Sequence, residues 1–378
     1  MVVKVSMDNI IICGDFCPTR DNEILLSENQ VADIVGEELA SLLFSSSFNI
    51  VNVETSFVTI ETPKKKRGQI NSSNPASAVF LKRANFSLCC LSNNHSIDNG
   101  EVGANNTLNV LETLGLKHIG MGKSKEEAAK SFKTVISGKK ISVLNIADNE
   151  FNSFEKNAIG CNVFDSFETF DLVAQEKSKC DYLIVIYHGG IEYYQYPSPR
   201  LQKICRKFVD CGADLVTCQH SHCIGSFENY SNSTIVYGQG NFLFNDSDKE
   251  LEKSAILLNI FPSTKTVDFV PVVKHGNLVR MANSLESQTI MDDFLKRSKE
   301  ITKEGNVKVL FKKWATDRKN DVFNTFVGYY KPIKALNKLS CGRLYKKIFS
   351  SKSKMRLFNI LKSEALKEFA EEVVDDYE

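Results

Sequence analysis

Between positions 217 and 223 the chain reads "TCQHSHC", placing two cysteines and two histidines in seven positions. Cys218, His220, His222 and Cys223 are all metal-ligand types, and alone they would suggest a structural zinc knot. Four ligands so close together cannot easily wrap one tetrahedron, because structural zinc sites separate their ligand pairs by a longer loop. The alternative is a catalytic site in which His220 and His222 are two ligands among several. Imidazoles, carboxylates and an amide around a divalent cation would support metal-assisted hydrolysis.

Such a site needs elements that bring distant residues together. Through the first ~275 residues, short β-branched runs alternate with amphipathic stretches. "NIIICGD", "FNIVNVET", "FSLCCLS", "KTVISG", "KISVLNIAD", "CDYLIVIYHGG", "ADLVTCQH", "STIVYGQGNFLF", "SAILLNIF" and "VDFVPVVK" read as strands. "VADIVGEELASLLF", "NGEVGANNTLNVLETLG", "SKEEAAKSF" and "PRLQKICRKFVDCG" read as helices, the last capped by Gly212. The pattern predicts an α/β fold. In such sheets ligands bind at the carboxyl ends of the strands. The residues at those ends are Asp15, Glu54, Asn94 with His95, His188, and His220 with His222. Singly, each has a plainer role: a lone histidine packs, and Asp15 or Glu54 can cap a helix. In an extended His-x-His pair both rings point to the same side. Five strand ends with one chemistry predict a shared metal site.

The order Asp, acid, Asn-His, His, His-x-His resembles the calcineurin-like metallophosphoesterase superfamily. "SNNHSIDNG", "HGGIEYYQYPSPR", "GADLVTCQHSHCIGSFENY" and "IVYGQGNFLF" resemble one branch of it, the CapA family of capsule and poly-γ-glutamate synthesis proteins. The resemblance covers about residues 10–245. It implies a four-layer β-sandwich flanked by helices, holding one or two divalent metals such as Mn, Zn, Fe or Mg. Asp15 would hold the first metal and Glu54 would bridge. Asn94, His188 and His220 would hold the second metal, and His222 would return to the first. His95 would donate a proton to the leaving group or hold the oxyanion. Asp98, Glu192 and Asn241 would support these residues. Two cations clamping an in-line displacement, and acidifying bound water, need no separate general base. The chemistry suits a phosphoester or an amide.

The chain departs from the pattern at "DFC", where Cys17 stands in place of the usual histidine, and at Gln219, where glycine is usual. The first departure leaves the first metal short of a ligand, unless Cys17 supplies a thiolate rather than packing. In "GGIEYYQYPSPR", Glu192, Tyr193, Tyr194 and Arg200 are candidates for the pocket wall, with Arg200 as a bidentate clamp on an anion. The plainer reading packs the tyrosines and caps a helix with Arg200. Asp148 and Glu150 either reach the site or shape a turn. "KKKR" at 64–67 reads as a solvated loop that could also draw an anionic substrate. The candidate catalytic set is His95, Asp98, Glu192 and Arg200; the candidate metal set is Asp15, Glu54, Asn94, His188, His220 and His222.

Composition narrows the setting. Of the 378 residues 42% are hydrophobic and 25% charged, with a net charge of +1, so bulk charge points to no polyanionic partner. The 11 cysteines are scattered in apolar runs, where they act as small hydrophobes, which predicts a reduced, intracellular protein. The start of the chain reads as a buried strand rather than a leader. No window reaches the roughly 18 apolar residues of a membrane span. Two domains are expected, 1–275 and a basic helical appendage at 276–378. No Asp or Glu occurs between Asp321 and Glu364, a stretch holding Lys331, Lys334, Lys338, Arg343, Lys346, Lys347, Lys352, Lys354 and Arg356. This surface is either solvated, or docks on the inner membrane face or a synthase, or guides an acidic polymer. No specific nucleic-acid motif appears. The expected function is cytoplasmic metal-dependent hydrolysis of an anionic polymer precursor or other phosphoester in surface-polymer synthesis. The alternative is a non-hydrolytic partner or scaffold of a polymer synthase.

Overall fold

A computed structural model of the chain describes residues 7–19, 22–66, 68–150, 152–154, 159–244, 249–326, 331–351, 353–355 and 357. Two sheets dominate the first compact unit, which ends at Phe311. The first sheet runs Leu278–Met281, Thr266–His275, Ser254–Phe261, Met7–Phe16, Ser46–Val53, Leu88–Cys90, Lys117–Ile119, and Asn241–Leu243 also pairs with Met7–Phe16. The second runs Phe227–Tyr230, Ser233–Val236, Leu215–Gln219, Tyr182–His188, Lys139–Ala147, Phe132–Ile136. The first is parallel from Met7–Phe16 to Lys117–Ile119 and antiparallel from Met7–Phe16 to Leu278–Met281, whereas the second is parallel at its centre and antiparallel at both edges.

Period-two alternation builds the layers. Ile10, Ile12 and Ile50 of the first sheet meet Val143, Ile184 and Leu215 of the second between the sheets. The alternate residues Ile11, Cys13 and Val51 pack outward against Leu39, Leu43 and Leu111 of helices Val31–Ser45 and Gly100–Thr113. Across the molecule, Leu183, Val185 and Val216 pack outward against Cys205 and Phe208. The result is the four-layer sandwich of two sheets flanked by helices. Central strands apolar on both faces explain why they read as continuous hydrophobic runs rather than alternating ones.

The connection between the two histidine-bearing strands shows the local logic. Helix Pro199–Asp210 starts on Ser198, whose hydroxyl accepts from Leu201 N at 3.1 Å, with proline in the first turn. It buries Leu201, Ile204, Cys205, Phe208 and Val209 at helical spacing and ends before Gly212, whose φ is +108°. A right-handed crossover of this kind leaves His188 and Gln219 in register at one sheet end.

"STIVYGQGNFLF" is two strands rather than one. Ser233–Val236 belongs to the second sheet and Asn241–Leu243 to the first. The chain crosses between sheets at Gly238 and Gly240, with φ of +156° and +79°. A Cβ on Gly238 would sit 2.7 Å from Ser221 Oγ, and one on Gly240 2.8 Å from Ser254 O, so both positions need glycine. This crossing sets Asn241 opposite Asp15. "SKEEAAKSF" forms only a four-residue helix, Lys125–Ala128, before a strand begins at Phe132.

The division of the chain falls at 311/312, not at 275/276. Strand Leu278–Met281 extends the first sheet, and helix Ser284–Ile301 is anchored in the core by Phe294, whose ring lies 5.0 Å from both Phe227 and Phe269. The change in composition near 276 marks surface lysines on these elements, not a domain border. The second unit, Lys312 onward, has helices Lys319–Phe326, Lys331–Leu339 and Arg343–Ile348, held by Phe323 stacked on Phe349 at 4.4 Å and by Tyr345. Most of the helix expected over "KMRLFNILKSEALKEFAEEVVDDYE" lies outside the described residues. No helix among the described residues is long and apolar enough to cross a membrane.

Candidate metal centre

The strand ends converge between the two sheets. Asp15 and Glu54 are both buried, at 1% and 0% exposure. Asn52 Nδ2 reaches Asp15 Oδ1 at 2.8 Å and His188 Nδ1 at 3.3 Å, tying the two sheets together beneath the site. Glu54 Oε1 stands 3.6 Å from His188 Nε2, 3.8 Å from His222 Nε2 and 3.9 Å from His95 Nε2. Ligand atoms of Glu54, His188 and His220 lie within 4.8 Å of one another, as do those of Asp15, Glu54 and His222. Glu54 is common to both triads. Asn94 Oδ1 joins the first at 2.9 Å from His188 Nε2. Neither group includes a cysteine. Cys218 packs with its sulfur 3.5 Å from that of Cys205, and Cys223 is fully buried.

The histidine pair is not extended. His220 has φ +88° and His222 φ +53°, the left-handed region that side chains with a Cβ avoid. Such backbone costs about 1–3 kcal/mol per residue and persists where the surroundings impose it. Ser221 O accepts from Tyr193 N at 2.8 Å and its hydroxyl bonds Cys223 O at 3.1 Å, holding the turn. The rings of His220 and His222 are thereby spread 6.2 Å apart, one in each triad. His222 Nδ1 meets Asn241 Oδ1 at 2.8 Å, which turns its Nε2 toward Glu54.

His95 lies at the edge of this cluster. Its Nδ1 is 2.7 Å from Asp98 Oδ2, and its backbone N donates to Asn93 Oδ1 at 3.0 Å. Asn93 in turn donates to Asn52 Oδ1 at 3.1 Å and Val53 O at 2.8 Å. The "KKKR" loop is not simply solvated, because Lys66 has a side chain only 3% exposed. Its ammonium pairs with Asp98 Oδ1, donates to Asn94 O at 3.1 Å and stands 3.3 Å from His95 Nδ1. A buried lysine needs such partners. Arg67 lies outside the described residues.

The rim is acidic. Half-exposed Glu150 places Oε2 3.5 Å from His220 Nε2. Glu192 is exposed and close enough to raise the proton affinity of both Glu54 and Glu150. Tyr193, at φ +60°, lies 6.0 Å from the His222 ring and carries Lys249 Nζ over its face at 3.8 Å. Tyr194 is buried and packs on Tyr196 and Phe311. Arg200 does not enter the cluster: it is 63% exposed, in the first turn of helix Pro199–Asp210, and pairs with Asp148 at 3.1 Å. Asp148 also accepts from Tyr187 OH at 2.6 Å. Cys17 is buried at 2%, and burial followed by the Glu54 charge pushes its thiol well up, away from thiolate.

The residues fit divalent cations. Both Glu54 oxygens and His220 Nδ1 are buried without a hydrogen-bond partner. Each such orphan costs about 1–3 kcal/mol unless something fills its coordination. Burial, then Asp15, raises Glu54 well above the usual carboxylate range, and burial raises Asp15. Burial, then neighbouring imidazoles, holds His188 well below its usual value and His220 down at about 3. These are neutral imidazoles beside carboxylates short of positive charge.

The profile of the bacterial capsule synthesis protein PGA_cap family matches residues 9–246. The chain belongs to the PGA_cap family. "PGA biosynthesis protein CapA" of Bacillus subtilis (strain 168) is 26% identical over 315 residues, 80% of this chain and 81% of that one. "Capsule biosynthesis protein CapA" of Bacillus anthracis is 25% identical over 232 residues, 58% of this chain and 56% of that one. Among solved structures, a 5'-nucleotidase precursor from Thermus thermophilus aligns at a TM-score of 0.41 and 12% identity, over 78% of this chain and 59% of that one.

For this PGA_cap member the charge state of the centre would make binding of a metal pH-dependent. His188 and His220 are already neutral and have no proton to lose. Glu54 and Asp15, raised by burial, keep protons above the usual carboxylate range until a cation displaces them. Affinity for Mn or Zn is therefore expected to climb as pH rises, by up to about tenfold per unit for each proton displaced, and then to level off. Calorimetry in two buffers of different ionisation heat reads the protons released. A pH-independent affinity with no proton release would contradict this charge state.

Proposed function

We propose that the chain is a metal-dependent hydrolase of capsule or related surface-polymer biosynthesis, cleaving a phosphoester or an amide on an anionic polymer precursor. Membership of a capsule synthesis family supports the pathway. The observation that carries the chemistry is Glu54, a buried carboxylate without hydrogen-bond donors and shared by two ligand triads. Asn94, His188, His220 and Glu54 would hold one cation, and Asp15, His222 and Glu54 a second. Bound there, divalent cations would supply Lewis acidity and make water nucleophilic at neutral pH.

The chain's own groups do the rest. Asn52 and Asn241 orient Asp15, His188 and His222. His95, fixed by Asp98 and Asn93, would deliver a proton to the leaving group through Nε2, the nitrogen facing Glu54.

A scaffold reading is favoured by one feature. The Asp15 triad contains one imidazole, His222, and neutral Cys17 replaces a second. The two readings separate on purified protein stripped of metal, reloaded with Mn, Zn, Fe or Mg, and assayed on a phosphomonoester, a phosphodiester and a γ-glutamyl amide. Turnover that vanishes on stripping and returns with metal is the expected result. Stoichiometric metal without turnover on any of them would favour a non-hydrolytic partner of a polymer synthase.

A further inference from the structure

The second unit carries a surface that the candidate metal centre does not use. Helix Lys331–Leu339 is nine residues long and segregates its side chains sharply. Lys331, Lys334 and Lys338, spaced three and four apart, form one stripe. Ile333, Leu336 and Leu339, spaced three apart, form another. Ile333 is partly buried, but the rest of the apolar stripe is not turned inward: Leu336 is 55% exposed and Leu339 81%. After a turn with Cys341 at φ +49° and Gly342 at φ +81°, helix Arg343–Ile348 repeats the pattern. Arg343, Lys346 and Lys347 lie on one side, and Ile348, 39% exposed, on another, while Tyr345 and Phe349 are buried in the unit. The sequence places no acid among these cations between Asp321 and Glu364.

We propose that these two helices are a docking surface for an anionic phospholipid membrane, lying in the plane of its interface. Lysines and arginine would sit at phosphate level while Leu336, Leu339 and Ile348 enter the acyl boundary. A basic amphipathic helix with exposed apolar residues has this chemistry, and attraction to anionic lipid adds to apolar burial. Neither helix approaches the roughly 20 residues needed to span. An acidic polymer in solution would use the charges alone and leave the leucines without a role. A purely solvated helix would use neither stripe. The inference does not depend on hydrolysis at the candidate metal centre.

The test uses the full chain in sedimentation with vesicles of phosphatidylcholine, with and without phosphatidylglycerol. Binding is expected only when phosphatidylglycerol is present, and it weakens with added salt. Lys331→Glu with Lys334→Glu and Lys338→Glu is expected to lower binding by at least about a hundredfold. Leu336→Ser with Leu339→Ser, which changes no charge, is expected to lower it by at least about tenfold, which charge attraction alone would not explain. All five positions are exposed, so circular dichroism should show the helices retained. Metal-dependent turnover of these variants on a soluble substrate stays at the parent level, which separates this surface from the hydrolase reading. Failure to bind phosphatidylglycerol vesicles would overturn the proposal. So would tight binding of soluble poly-γ-glutamate that the leucine substitutions leave untouched, because the surface would then be a polymer guide.

Discussion

Glu54→Gln is expected to weaken divalent cation binding at both triads at once, each by more than the about 10–100-fold typical of outer-shell partners. Glutamine keeps the size and shape of the side chain but removes the charge that the two triads share. Asp15→Asn is expected to weaken one class of site only, and His220→Asn only the other, because each belongs to a single triad. Metal counting and calorimetric titration of the three variants distinguish the pattern. Two intact sites in Glu54→Gln would mean that the carboxylate bridges nothing. Stability supplies an independent sign. A carboxyl whose folded value is raised is penalised as pH climbs from its ordinary range, about 4, through the raised value. Glu54 is such a group. Metal-free Glu54→Gln should therefore unfold at a higher temperature than the metal-free parent at neutral pH, while losing the stabilisation the parent gains from metal.

The two triads were legible because their residues sit at the ends of apolar runs. Parallel strands buried on both faces admit few polar residues, so an acid or histidine at the last position stands out, as at Asp15 and His188. Residues inside the runs were not legible. Asn52 lies within "FNIVNVET" and Asn93 within "SNNH", and nothing local distinguishes a buried amide that orients a ligand from one that fills a turn. The turn at His220 and His222 was missed for another reason. Left-handed φ at a residue with a Cβ is imposed by tertiary contacts, here with Tyr193 and the Gly238 crossing, and so runs against local preference. The domain border moved because Phe294, a single anchoring ring, outweighs the lysines around it. Lys66 was hidden by its neighbours, since three consecutive lysines average to a solvated loop although one of them is buried.

The largest rate effect on the hydrolase reading is expected at His95, and its partner Lys66 shows whether the ring must be held. His95→Ala is expected to lower kcat by about 10²–10⁴ with metal binding retained, the range for loss of a positioned proton donor. A stripped-off metal instead would place His95 among the ligands. Lys66 touches no ligand atom of either triad, but its ammonium pairs with Asp98 and bonds Asn94 O, so it is a positioning residue. Lys66→Met would leave Asp98 with His95 Nδ1 and Asn71 N as partners but no balancing charge. Breaking a buried pair in this way costs about 3 kcal/mol, whereas a solvated lysine would cost less than about 0.5 kcal/mol. Adding Asp98→Asn removes the charge left behind. The double variant is therefore expected to recover stability relative to Lys66→Met alone, as denaturant titration would read. Its kcat should not recover, because asparagine cannot hold His95 as a carboxylate does. Recovery of both would make Lys66 and Asp98 a structural pair with no part in orienting the ring.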